Sequence, residues 1–108
     1  MDKKALIENL KDVFCQFNKA DGNKYTEVWL SDVDFGNLYH SDKFILHVKA
    51  EHEISSCSDE IDNVLRYLDE HAHDELQFIW SVYIYDSTDQ IHCQFEDLLV
   101  YTEAQSCK

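Results

Sequence analysis

Leu6, Leu10, Val13, Phe14 and Phe17 recur at spacings of 4, 3, 1 and 3, which puts them on one face of a helix. Lys3, Lys4, Glu8, Lys11 and Asp12 fall mostly off that face. The pattern predicts an amphipathic helix over 3–18 that stops before the turn signal Ala20-Asp21-Gly22-Asn23. From 24 to 35 the period drops to two: Thr26, Val28 and Leu30 alternate with Tyr25, Glu27, Trp29 and Ser31. Val33 and Phe35 then fall in with the second set, so the apolar side switches, which predicts a bulge or a strand end near Ser31. Phe35-Gly36-Asn37 opens the connection to a second strand over 43–50, with Phe44, Leu46 and Val48 inward and Ile45, His47 and Lys49 outward.

Ser56, with Asp59 three residues on, is a good N-cap for a second helix over 56–73. Its apolar stripe is Cys57, Ile61, Val64, Leu65, Leu68 and Ala72. The apolar run from Leu76 to Tyr85 reads as a third strand over 76–86, Asp86-Ser87-Thr88-Asp89 as a turn, and 90–101 as a fourth strand broken near Glu96-Asp97, with a tail from about 102. The order αββαββ predicts a two-layer α+β sandwich: two hairpins joined into a four-stranded antiparallel sheet, both helices on one face. The expected core is Leu10, Phe14, Phe17, Leu46, Ile61, Leu65, Leu68, Phe78, Trp80 and Val82. Trp29, Tyr39, Tyr83 and Tyr85 fall where the open face of the sheet is expected.

At 108 residues the chain fits one domain, 1–108. Its 44% hydrophobic and 13% aromatic content supplies a packed core. Charge changes the picture more. Nine Lys and Arg against 22 Asp and Glu leave a formal net charge of -13, which excludes direct binding to a phosphate backbone and disfavours anionic membrane surfaces. No apolar run approaches the roughly 18–20 residues of a membrane span, and Glu8 and Lys11 interrupt anything resembling a signal peptide. The expected setting is cytoplasmic, in a bacterium or phage.

The acidity is lopsided. Residues 1–49 hold seven basic and eight acidic residues, whereas 50–108 hold 14 acidic residues against Arg66 and Lys108. Such concentration repels itself and disfavours compactness. Asp59 and Glu60 suit the positive start of the second helix, but Asp69, Glu70, Asp74 and Glu75 crowd its negative end.

Candidate chemistry is sparse. Two glycines and no proline leave no phosphate-cradling loop and no polyproline ligand, so no cofactor is expected. The four cysteines are separated by 42, 36 and 14 residues, without the spacing of a zinc knuckle. A cytoplasmic chain keeps them reduced, with Cys15 and Cys57 as small buried hydrophobes on or beside the helix stripes and Cys107 exposed in the tail. His71 and His73 lie two apart, which on a continuous helix points them about 200° apart. His92 and Cys93 are strand neighbours and face opposite sides.

Binding is therefore expected over turnover. An acidic, cofactor-free chain complements a cationic site built to hold phosphate. The expectation is a stoichiometric inhibitor of a basic, nucleic-acid-directed protein, of the kind that immunity proteins exert on nuclease toxins. DNA mimicry of the anti-restriction or anti-CRISPR kind is the alternative, and a small metal-dependent enzyme using His71 and His73 is the alternative of another class. The expected contact residues are Asp59, Glu60, Asp69, Glu70, Asp74 and Glu75, then Asp86 and Asp89, with Tyr67, Tyr83 and Tyr85 as aromatic anchors.

Overall fold

The computed structural model describes residues 2–22, 24–35 and 38–95; at 21, 33–35 and 38–42 only the backbone is described. The elements are α1 (Lys3–Asp21), β1 (Tyr25–Phe35), β2 (Leu38–Ala50), α2 (Cys57–His71), a single turn α3 (His73–Leu76), β3 (Ile79–Tyr85) and β4 (Ile91–Phe95). The outer part of the expected fourth strand and the tail with Cys107 lie outside the described residues, as does the Gly36-Asn37 connection.

Local chemistry sets the ends of the helices. The Asp2 side chain accepts a hydrogen bond from the Ala5 amide at 2.8 Å and caps α1. At the other end Gly22 takes φ 86°, a left-handed conformation that side chains resist. The Asn18 side chain then fastens the departing chain: its Oδ1 accepts from the Lys24 and Tyr25 amides at 3.1 and 3.0 Å. Ser56 caps α2 as expected, accepting from the Asp59 amide at 3.4 Å.

The four strands lie in the order β1-β2-β3-β4. β1 with β2 and β3 with β4 are antiparallel hairpins, but the central pair β2–β3 is parallel. The sheet is therefore mixed, not antiparallel throughout. The connection explains it: the chain leaves β2, returns through α2 and α3, and re-enters the sheet beside β2 in the same direction. Short linkers at the helix ends permit this crossover, whereas hairpin logic applied to each half alone leaves the joint undetermined.

Each ladder carries irregularities. β1 shifts register at Tyr25/Glu27 and again at Asp32/Asp34, the second close to the bulge that the switching pattern predicts. Phe44 pairs with Ile79 while Ile45 pairs with Ser81, so Trp80 is the extra residue of a β3 bulge. Trp80 is accordingly only partly buried, and so is Phe78 in the turn after α3; both were expected in the core. Leu76 sits in α3, so the third strand starts three residues later than its apolar run suggests.

The core fills the space between helices and sheet. Leu6, Leu10, Phe14 and Phe17 of α1 and Ile61, Val64, Leu65 and Leu68 of α2 meet Val28, Leu30, Leu46, Val48, Val82 and Ile84 of the sheet, all buried. Tyr25 joins this side, edge-on to Phe14 with ring centroids 5.6 Å apart.

The cysteines depart from expectation. Cys15 is exposed on α1. Cys57 is exposed at the first residue of α2, while Cys93 on β4 is buried. The fold brings the last two together in a disulfide, with Cα atoms 5.4 Å apart.

Candidate partner-binding surface

Burying one stripe of α2 forces its charged positions to the outside. Asp59, Asp69 and Glu70 of α2 and Asp74 of α3 are exposed, and Glu75 is half-buried. Arg66, the only Lys or Arg of α2, is engaged by Asp62 one turn earlier. Asp69 accepts from His73 Nδ1 at 3.0 Å, and Glu70 lies 3.8 Å from His71 Nε2.

Glu60 does not belong to that surface. It is 9% exposed, and its carboxylate accepts from the Tyr25 hydroxyl at 2.5 Å and lies 2.5 Å from His52 Nε2. His52 in turn reaches the Lys24 carbonyl through Nδ1 at 3.3 Å. This network ties α2 to the start of β1 and the end of β2. The periodic pattern assigns Glu60 to the polar side of the helix; only the β1 tyrosine across the seam reveals why it turns inward.

Tyr67, expected as an aromatic anchor, is half-buried. Its ring meets Phe17 edge-on at 4.4 Å, and its hydroxyl donates to the Val13 carbonyl at 3.4 Å. It still borders solvent: Glu60, Tyr67 and Glu70 line one groove of about 270 Å³ with Phe17, Lys24, Asn63 and Arg66. Three predicted residues thus come together, with a carboxylate at the rim and an aromatic wall.

Tyr83 and Tyr85 stand apart from this surface. They alternate with Val82 and Ile84, whose side chains point toward the helices, so the two tyrosines occupy the opposite face of the sheet. Asp86 holds the β3–β4 turn: its Oδ1 accepts from the Thr88 and Gln90 amides at 2.9 and 3.1 Å and from the Thr88 hydroxyl at 2.5 Å. These hydrogen bonds, the Thr88 side chain first, hold the Asp86 carboxyl below its ordinary range. Asp89 adopts φ 66° and pairs with Lys49 at 2.9 Å, which raises the Lys49 ammonium above its ordinary value.

The open face contains a residue whose role the sequence did not single out. His47 is 8% exposed, although among the described residues no helix lies over it. Its ring stacks on Trp29, 5.1 Å between centroids with 4° between planes, and meets Tyr83 edge-on at 5.5 Å. Nε2 is 2.7 Å from Ser31 Oγ and Nδ1 is 2.8 Å from Tyr85 Oη. Burial lowers the His47 pKa and, with the neighbouring Tyr83, raises that of Tyr85. A neutral imidazole carries one proton, so one hydroxyl donates to the ring and the other accepts from it. The cross-strand pairing of Trp29 with His47 is the signal that register knowledge, absent from the sequence alone, supplies.

Among the described residues, neither His71 nor His73 joins a group of three metal-ligating side chains. His92 and Cys93, by contrast, do converge: Ile84 pairs with Cys93 and Tyr85 with Ile91, so His92 is the extra residue of a bulge that re-aims it. Among the described residues no helix is long and apolar enough to cross a membrane. No family model matches the chain, nor does any curated protein or solved structure.

Proposed function

We propose that this chain is a stoichiometric inhibitor that docks through the outer surface of α2 and α3 onto a basic, nucleic-acid-directed protein, in the manner of an immunity protein neutralising a nuclease toxin. The observation that carries the reading is the exposure of Asp59, Asp69, Glu70 and Asp74 along α2 and α3, where Arg66 is already engaged by Asp62. A partner that holds nucleic acid offers cationic groups at its functional site, and carboxylates clustered on a small rigid domain complement them and steer the encounter. The run of exposed carboxylates along α2 and α3 supports a capped protein site over mimicry of duplex DNA, which calls for charge at regular spacing on more than one face.

The test begins with the protein captured by this chain from cells that carry it naturally. The expected partner is basic, acts on or binds nucleic acid, and loses that activity at one equivalent of this chain. Reversing Asp69, Glu70, Asp74 and Glu75 together to Lys abolishes the inhibition while the fold persists. An acidic partner, or undiminished inhibition by the reversed variant, refutes the reading.

A further inference from the structure

Cys57, Cys93 and His92 form the one constellation among the described residues in which three metal-ligating side chains converge, their ligand atoms all within 4.8 Å of one another. We infer that the dithiol form of this chain holds a borderline-soft divalent cation of the zinc class on Cys57 Sγ, Cys93 Sγ and a ring nitrogen of His92. Disulfide and metal are then alternative closures of the same seam between α2 and β4.

Each ligand is delivered by a different structural device. Cys57 is the first residue of α2, behind the Ser56 cap, where the positive end of the helix favours a thiolate. Cys93 faces inward from β4 opposite Ile84. His92 reaches the same side because the β4 bulge removes the alternation that otherwise sends neighbouring strand residues apart. Cys57 Sγ already lies 3.3 Å from the His92 carbonyl oxygen. Asp86 Oδ2 lies 3.9 Å from His92 Nδ1, beyond hydrogen-bond length but near enough for a small ring movement to bring the carboxylate behind a metal-bound imidazole. Two thiolates and one imidazole are a donor set that zinc accepts, with a fourth position left for water. Cys57 also borders a cavity of about 300 Å³ with Ser58, Ile61 and Phe95, which gives that position access to solvent.

The chemistry balances. Two molecules of a small thiol reduce the disulfide by two electrons, becoming a disulfide themselves and leaving two protein thiols. The cation then displaces the two thiol protons to solvent, while neutral His92 contributes a lone pair.

The test uses the full chain with Cys15→Ser and Cys107→Ser, reduced without oxygen, and adds zinc or cobalt(II) alone. The expected result is one cation per chain, with a thiolate-to-cobalt charge-transfer band that disappears on Cys57→Ser. His92→Gln weakens binding by about tenfold or more, and the oxidised chain takes up no cation. If the reduced chain loses helical circular dichroism, zinc is expected to restore it. A folded reduced chain that binds neither cation overturns the inference. So does a reduced chain that zinc fails to refold, or a cobalt spectrum unchanged by Cys57→Ser.

Discussion

On the helical side of the sheet, Leu46, Val48, Val82 and Ile84 are sealed beneath α1 and α2, and carboxylates stand on the outer surface of the helices. On the opposite side no described helix covers the strands, yet His47 is almost as buried as the core. Its cover comes from its own neighbours on the sheet, Trp29, Tyr83 and Tyr85, and its two ring nitrogens are satisfied by hydroxyls of β1 and β3. Among the described residues, no Lys or Arg pairs with Asp59, Asp69, Glu70 or Asp74 on the first surface. The second pairs the polar atoms of its central histidine internally. The proposed docking therefore uses the helical side, and the aromatic side reads as a self-contained brace across three strands.

Substitutions separate the two sides by magnitude. Leu68→Ala, under the helices, is expected to cost about 2–5 kcal/mol through lost burial and a residual cavity, read from urea unfolding; less than about 0.5 kcal/mol contradicts the packing described. Glu60→Ala removes the buried carboxylate shared by the Tyr25 hydroxyl and His52 Nε2 and is expected to cost about 1–3 kcal/mol. Its coupling to Tyr25→Phe in a double-mutant cycle should be clear, and strict additivity of the two removes the network. On the open face Tyr85→Phe deletes one hydrogen bond to His47 and is expected to cost about 0.5–1.5 kcal/mol. A cost as large as that of Leu68→Ala would erase the distinction between the faces.

The open face also carries a pH signature. Burial lowers the His47 pKa from its ordinary 6.5, so the unfolded chain takes up a proton at a higher pH than the folded one. Stability is then unaffected above that ordinary value and falls as pH drops below it, until the folded ring protonates as well. His47→Gln is expected to flatten this part of the stability–pH curve. An NMR titration of the His47 ring with a midpoint above 6.5 runs against it.

Element type was largely legible in the sequence because it depends on local pattern. The stripe Leu6, Leu10, Phe14 and Phe17, the Ser56 cap and the alternation of Phe44, Leu46 and Val48 all describe what the structure contains. What depends on distant pairing was not legible. The parallel joint between β2 and β3 turns on the path of α2, and the bulges at Trp80 and His92 become visible only against the partner strand. The proposed contact residues divide on the same principle. Asp69, Glu70 and Asp74 are outside because helical period puts them there. Glu60 is inside because Tyr25 and His52, 35 and 8 residues away, offer it hydrogen bonds. Tyr83 and Tyr85 left the acidic surface once strand parity assigned them to the other face, and the disulfide joins residues 36 apart that no spacing rule connects.

The most direct measurement is the association rate with the captured partner, taken at about 50 and about 500 mM salt, between which the Debye length shrinks to a few Å. Three variants are compared with the natural chain: Glu70→Lys with Asp74→Lys on the acidic surface, Glu8→Lys with Asp12→Lys on α1, and Trp29→Ala on the open face. If the acidic surface docks, the first variant slows association at low salt by about tenfold or more and flattens its salt dependence. The α1 pair and Trp29→Ala should stay within about twofold of the natural chain. Equal slowing by the two charge reversals, or a larger loss from Trp29→Ala, contradicts the assignment of the docking surface to α2 and α3.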